Sequence, residues 1–159
     1  MAEPPFDLNK AHHWFGVELN NNVWDWLEKA DYSQPHAEQM VHAAHASCFH
    51  WIKAGTALNH QRGECLVANA HAAVDNGESA VRHANRSVEL LKELADEAAD
   101  WDFAFTYDGL ARALAASGEK DTAVAARQQA RDYRDKIAED GDRKFFEAWH
   151  GAGNWHGLD

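Results

Sequence analysis

The sequence predicts an all-α protein of about seven helices that stack as antiparallel hairpins. An alanine-rich segment recurs at an offset of 43 residues, and residues 67–84 match residues 110–127 at six identical positions. Proline occurs only at positions 4, 5 and 35, so helical periodicity can continue over long stretches. No segment has the alternation of apolar and polar residues that is typical of a strand. A repeat of this length indicates a unit that covers its apolar face only by stacking on a neighbour.

The first helix is predicted over residues 8–30, with Asp7 as its N-cap. One stripe of this helix is apolar at helical spacing, and it consists of Leu8, Ala11, His12, Phe15, Leu19, Val23, Trp26 and Ala30. Gly16 and the asparagines at 20–22 have low helix propensity, so a kink is expected there.

Turn and capping signals separate the next three helices. The second helix, at about 35–54, begins at a proline, because a residue in the first turn needs no N–H group. The third begins after a cap at Thr56 or Asn59 and continues through Val74. An Asp-Asn-Gly turn precedes the fourth, which is predicted at about 78–99 with a charged, solvated outer face.

The last three helices have the same kinds of boundary. The fifth is capped by Asp100 or Asp102 and ends at Gly118, since glycine commonly follows the last helical residue. The sixth is predicted at about 119–138, and a short seventh at 143–150.

The length of 159 residues corresponds to one domain. We predict a single helical domain over residues 1–150 and an irregular, glycine-rich tail over 151–159. Cys48 and Cys65 lack the spacing of a metal or redox motif, and we interpret them as buried thiols in a reducing compartment.

The charge balance argues against several classes of partner. Fifteen basic and 26 acidic residues give a formal net charge of −11. Such an acidic chain disfavours binding to the phosphates of nucleic acids and to anionic membranes. The first residues lack a basic segment followed by an apolar one, and no apolar run approaches the roughly 18 residues of a membrane span. We therefore expect a cytoplasmic protein that binds neither nucleic acid nor membrane.

In the second repeat unit, small and apolar residues occupy the positions where two helices of a hairpin touch, and a glycine occupies the turn. These residues are Tyr107, Leu110, Ala111, Leu114, Gly118, Ala123 and Ala130. In the first unit, Ala80 and Ala84 match this pattern, and Asp75 replaces the turn glycine. The pattern resembles the tetratricopeptide repeat over residues 60–138. A further shift of 43 residues places Ala37 under Ala80, which suggests a degenerate third unit made from the first two helices.

The resemblance implies a short right-handed solenoid of antiparallel hairpins. The whole chain also resembles bacterial proteins of this repeat class, from which no activity carries over. Tetratricopeptide repeats usually bind peptides in a concave groove lined by the first helix of each hairpin. The matching positions in this chain are Arg62, Cys65, Asn69, Phe105, Asp108 and Arg112. Arginine and asparagine side chains can hydrogen-bond a peptide backbone or a terminal carboxylate.

We therefore predict an interaction module that binds a peptide or protein, without catalysis and without a cofactor. The chain has neither a GxSxG motif nor a glycine-rich phosphate loop. One alternative stays open for the groove itself. The chain's own first helix can fill it, or its tail can do so through Trp155 and Leu158.

The alternative function is histidine-rich metal binding. The chain has 11 histidines. His42 and His45 share one face of the second helix, and His60 and Glu64 are one turn apart on the third. If those helices are neighbours, their imidazoles and carboxylate can converge on Zn²⁺ or Fe²⁺, with His12 as a further ligand. His45 also fits the apolar stripe of its helix, where it would be a core histidine bonded to a carbonyl.

The aromatic residues leave two interpretations open. Seven Trp and seven Phe are more than two hairpins require. Trp24 and Trp26 point to different sides of the first helix, as do Phe145 and Phe146 on the seventh. Both faces of these helices pack within the chain, or one of them forms a homodimer interface.

Overall fold

The computed structural model describes residues 4–30 and 32–158. Residues 1–3 of the predicted domain, Asp31 and the last residue of the predicted tail lie outside these ranges. Within them the chain forms seven α-helices and no strand, as predicted. The helices are α1 (Leu8–Lys29), α2 (His36–Ala54), α3 (Ala57–Ala73), α4 (Gly77–Glu93), α5 (Asp100–Ala116), α6 (Lys120–Arg134) and α7 (Asp140–Gly151). No described helix is both long enough and apolar enough to cross a bilayer.

Capping side chains set two of the predicted helix starts. The carboxylate of Asp7 accepts a hydrogen bond from the backbone N–H of Lys10 at 3.0 Å, at the start of α1. At the start of α3, the Thr56 hydroxyl accepts from the backbone N–H of Asn59 at 3.3 Å. The Asn59 side chain in turn accepts from the backbone N–H of Thr56 at 2.9 Å. This reciprocal pair is a capping box, which satisfies N–H groups that have no partner within the helix.

Helices α4 and α6 end before their predicted limits at 99 and 138. The carboxylate of Asp102 accepts the backbone N–H of Ala99 at 3.1 Å, which fixes the start of α5 and leaves residues 94–99 as the connection. After α6, the backbone tightens into shorter-range bonds, such as that from the N–H of Ile137 to the carbonyl of Arg134 at 3.0 Å. Ile137, at this tightened turn, is buried in the core.

Helix α1 continues through Gly16, and the absence of a side chain at this position lets α1 and α2 approach closely. A Cβ at this position would lie 2.9 Å from the Trp51 ring of α2. The carbonyl of Gly16 also accepts a hydrogen bond from the buried hydroxyl of Ser47 at 2.8 Å. Gly16 therefore permits a close contact between α1 and α2.

Consecutive helices pack as pairs, α1 with α2, α3 with α4, and α5 with α6. The predicted alanines lie at these contacts. Ala68 of α3 and Ala80 of α4 have no exposed surface and belong to one cluster, while Ala111 of α5 and Ala123 of α6 are equally buried in another. Small side chains at facing positions let two helix axes approach closely.

The two later hairpins turn in the same way, 43 residues apart. Asp75 and Gly118 both adopt a left-handed backbone conformation, with φ of 60° and 85°. The N–H of Asn76 bonds the carbonyl of His71 at 2.9 Å, and the N–H of Glu119 bonds that of Leu114 at 2.9 Å. Aspartate tolerates this conformation better than most residues, which explains why it can replace the expected glycine.

Helices α1 and α7 cover the surface that α3 and α5 share. Helix α1 contacts α3 in addition to α2, and α7 contacts α5 and α6. The Trp24 ring of α1 meets the Phe105 ring of α5 with centroids 5.8 Å apart, and the Trp149 ring of α7 at 5.0 Å. Several aromatic side chains of α1, α5 and α7 thus pack against one another within the protein, and Phe146 is fully buried.

Candidate functional site

The six positions predicted to line a peptide groove do not form an open surface. Arg62 is partly exposed, and the other five are buried; they are Cys65, Asn69, Phe105, Asp108 and Arg112. The end of α7 and the tail lie against Arg112, whereas Arg62, Cys65 and Phe105 line a cavity between helices.

Arg112 binds the end of α7 through hydrogen bonds. Its guanidinium donates to the Asp108 carboxylate at 2.7 Å and to the backbone carbonyls of Trp149 and Ala152 at 2.9 and 3.1 Å. A buried cation needs such partners, and the end of α7 supplies two of them. Gly153, with φ of 76°, lets the tail pass so close that a Cβ would lie 2.9 Å from the guanidinium.

Residues 152–158 follow α7 without helix or strand and pack on the α5–α6 hairpin. The ring of Trp155 lies 4.1 Å from the guanidinium carbon of Arg112. Leu158 is buried with Ala111 and Ala123. The side chains that the sequence singled out for docking into the groove are therefore docked on this hairpin.

Between α1, α3, α5 and α7 a cavity of about 280 Å³ remains. Its lining includes Trp24, Arg62, Cys65, Trp101 and Phe105. The Arg62 guanidinium is held by both oxygens of Asp102, at 2.7 and 3.0 Å, and its carbon lies 4.3 Å from the centroid of the Trp101 ring. Both contacts hold Arg62 at the wall of the cavity.

Three histidines from three helices converge at the other face of α3. His45 of α2, His71 of α3 and His83 of α4 each offer a nitrogen, and these nitrogens lie within 4.8 Å of one another. The Nε2 atoms of His45 and His71 are 2.9 Å apart. The Nε2 atom of His83 is buried and has no hydrogen-bond partner among the described residues.

Glu64 connects this triad to a second group. Its Oε2 atom lies 2.7 Å from Nδ1 of His83. Its Oε1 atom lies 3.3 Å from Nε2 of His60 and 3.8 Å from Sγ of Cys48. Ligand atoms of Cys48, His60 and Glu64 also lie within 4.8 Å of one another.

Burial and repulsion from neighbouring groups lower the pKa of His45 and of His71, which favours the neutral form of these two imidazoles. Burial, followed by repulsion from His45 and His83, lowers the pKa of His71 to about 4. Burial also lowers the pKa of His45, with a further contribution from His83. Neutral imidazoles keep the ring lone pair that a metal ion uses.

The pKa values of the carboxylate and the thiol beside the triad shift in opposite directions. Burial by itself raises the pKa of Glu64, but the hydrogen bonds and charges of His83 and His60 outweigh it, and the pKa is lowered. Burial and the neighbouring Glu64 carboxylate raise the pKa of the Cys48 thiol to about 12. The group therefore contains an ionised carboxylate next to a protonated thiol.

No protein-family model, curated protein or solved structure matches the chain.

The predicted metal ligands are only partly brought together. His45 joins His71 and His83, while His60 and Glu64 form the second group with Cys48. His42 is exposed and belongs to neither group.

His12, predicted as a further ligand, lies elsewhere. Its Nδ1 atom is 2.7 Å from Nδ1 of His50, on the contact between α1 and α2. It therefore adds no ligand to either histidine group.

Sequence reasoning missed His83. The predicted α3–α4 hairpin places His83 beside α3, two turns after the loop, and His71 lies one turn before the loop. The repeat pattern does not indicate which face of that hairpin meets α2. The sequence alone therefore does not indicate that His45 lies near His83.

Proposed function

We propose that the protein binds Zn²⁺ through His45, His71 and His83. The observation that carries the proposal is the convergence of three imidazole nitrogens, each from a different helix, within 4.8 Å. Zinc–nitrogen bonds of about 2.0–2.1 Å place tetrahedral ligands about 3.4 Å apart. The 2.9 Å between Nε2 of His45 and Nε2 of His71 is close to that value, so small side-chain shifts suffice.

Glu64 supports the proposal from behind the triad. The Nδ1 atom of His83 lies against the Glu64 carboxylate, which orients the ring and leaves its buried Nε2 atom without another partner. A carboxylate behind a ligating imidazole is the usual arrangement at zinc sites, where it fixes the ring and raises its basicity. The triad itself contains no carboxylate, which favours Zn²⁺ over the mixed histidine–carboxylate set of non-haem Fe²⁺.

His45 supplies a route for the ion. It is exposed, whereas His71 is buried, so solvent reaches the triad from the α2 side. Three protein ligands leave a fourth tetrahedral position for water or a small ligand.

We infer that the hairpins form a short right-handed solenoid of the tetratricopeptide type. The equivalent turns at Asp75 and Gly118 and the buried alanines support this inference. Since five of the six groove positions are buried, the metal site and not a peptide groove carries the proposed function. A cytoplasmic location belongs to the same proposal.

The exposed apolar side chains of α1 and α2 keep a homodimer as a secondary proposal. They include Trp14, Phe15, Phe49 and Ile52. Exposed aromatic side chains are typical of interfaces.

The test of the metal site uses untagged protein, because a histidine tag would bind the metal itself. We expect His45→Ala to weaken Zn²⁺ binding and to lose most of the rise in melting temperature that Zn²⁺ gives the wild type. His42→Ala is the matched control, since His42 is exposed on the same helix one turn earlier and lies outside both groups. Zinc competition with a chromophoric chelator gives the affinities. Equal affinities for the wild type and His45→Ala would contradict the proposal.

A further inference from the structure

We propose that Cys48, His60 and Glu64 form a second metal site, so that two ions lie on either side of the Glu64 side chain. The inference rests on the proposed function, because Glu64 would hold His83 for the first ion and bind the second ion itself. The three ligand atoms lie within 4.8 Å of one another.

The local fold brings these three residues together. His60 and Glu64 are one turn apart on α3, so their side chains share a face. Cys48 comes from α2, which approaches α3 at Gly63. A Cβ at Gly63 would lie 3.0 Å from Sγ of Cys48 and 3.1 Å from its Cα. A larger residue there would push the thiol away from Glu64.

The two oxygens of Glu64 face different groups. Oε2 is 2.7 Å from His83, and Oε1 is 3.3 Å from His60 and 3.8 Å from the Cys48 sulfur. One carboxylate can therefore orient an imidazole of the first site while its other oxygen binds a second ion. Loss of Glu64 would weaken both sites at once.

The chemistry of the second site differs from that of the first. It offers one sulfur, one nitrogen and one oxygen, a set that suits Zn²⁺ and its spectroscopic substitute Co²⁺. On binding, the S–H bond of Cys48 breaks, its proton leaves to solvent, and the sulfur electron pair forms the bond to the metal. Without a metal, the negative charge of Glu64 disfavours the thiolate form of Cys48. A cation bound between the two groups attracts both negative charges and therefore favours the thiolate.

Titration with Co²⁺ under anaerobic, reducing conditions tests the second site, because only a thiolate ligand gives the intense sulfur-to-cobalt band in the near ultraviolet. We expect the wild type to bind a second equivalent of Co²⁺ and to develop this band. Cys48→Ser should lose the band and one equivalent, while the visible cobalt bands of the histidine triad persist. Cys65→Ser is the matched control, since Cys65 is also buried but lies outside both groups.

His60→Ala gives an independent answer if Cys48→Ser does not fold, because His60 is more exposed, with 27% of its side chain accessible. It should also lose one equivalent and weaken the sulfur-to-cobalt band. Binding of a single equivalent with no thiolate band would overturn the second site and leave the histidine triad standing. A thiolate band that is unchanged in His45→Ala, with no loss of stoichiometry, would contradict the triad and support the second site. No Co²⁺ binding by the wild type would overturn both.

Discussion

Arg112 joins α5 to the end of α7 through one guanidinium. It holds the Asp108 carboxylate on its own helix and the carbonyls of Trp149 and Ala152 at the end of α7. The second oxygen of Asp108 lies 2.5 Å from Nδ1 of His150, also on α7. Arg112 is 3% exposed and Asp108 has no exposed surface, so neither charge can turn to water.

We expect Asp108→Asn to lower the free energy of unfolding by about 3–5 kcal/mol, because it leaves a buried guanidinium without its carboxylate. Denaturation by urea, followed by circular dichroism, measures the change. Asp140→Asn is the control, since Asp140 pairs with Arg143 at the surface. Its loss should cost less than about 1 kcal/mol. Equal effects of the two substitutions would show that the buried pair contributes nothing beyond a surface pair.

Asp108 also makes the free energy of unfolding depend on pH, and the direction of that dependence follows from its pKa. Burial by itself raises the pKa of Asp108, but Arg112 and His150 outweigh it, and the folded pKa is lowered. A lowered folded pKa contributes stability that is present above the unfolded pKa of about 4 and is lost as the pH falls toward the folded value. The difference in stability between the wild type and Asp108→Asn should therefore shrink as the solution is acidified below pH of about 4.

At the scale of single helices, the contact of α5 with α6 depends on the size of one side chain. Ala123 is fully buried against the cluster that contains Ala111. Ala123→Leu should destabilise the protein by about 1–3 kcal/mol through overpacking. Val124→Leu is the control, because the neighbouring Val124 is 55% exposed and a larger side chain there meets solvent. Similar melting temperatures for the two variants would contradict the close contact.

Elements were predictable where local chemistry decides them. Asp7 and Thr56 cap the helices that the sequence assigned to them, and the alanine stripe marks the contacts within the hairpins. The end of α4 at Glu93 was not predicted; the backbone turns at Leu94, whose N–H bonds the carbonyls of both Leu90 and Leu91. The candidate metal ligands likewise include some that local spacing predicts and some that depend on packing between helices. The pair His60 and Glu64 follows from spacing on one helix, whereas the approach of His83 to α2 depends on how separate hairpins stack.

At the scale of the whole molecule, the hairpins stack through their turns. Gly77 begins α4, and a Cβ there would lie 2.6 Å from the Cα of Ser117, at the end of α5. The turn of the first repeat thus rests directly on the backbone of the next. The φ of Gly77 lies outside the left-handed region, so its backbone conformation does not require glycine. Glycine is needed here because a side chain would collide with Ser117.

Gly77→Ala should therefore destabilise the stack by about 1–3 kcal/mol, because backbone and not a flexible side chain must move. Gly141, near the start of α7, provides a control of opposite sign, since a Cβ there would meet nothing within 4 Å. Gly141→Ala should stabilise the protein by about 0.4–1 kcal/mol by restricting the unfolded chain. Thermal and urea unfolding of both variants measure the two signs. A stabilised Gly77→Ala variant would mean that the two turns do not touch, and the stacking of one hairpin on the next would have to be revised.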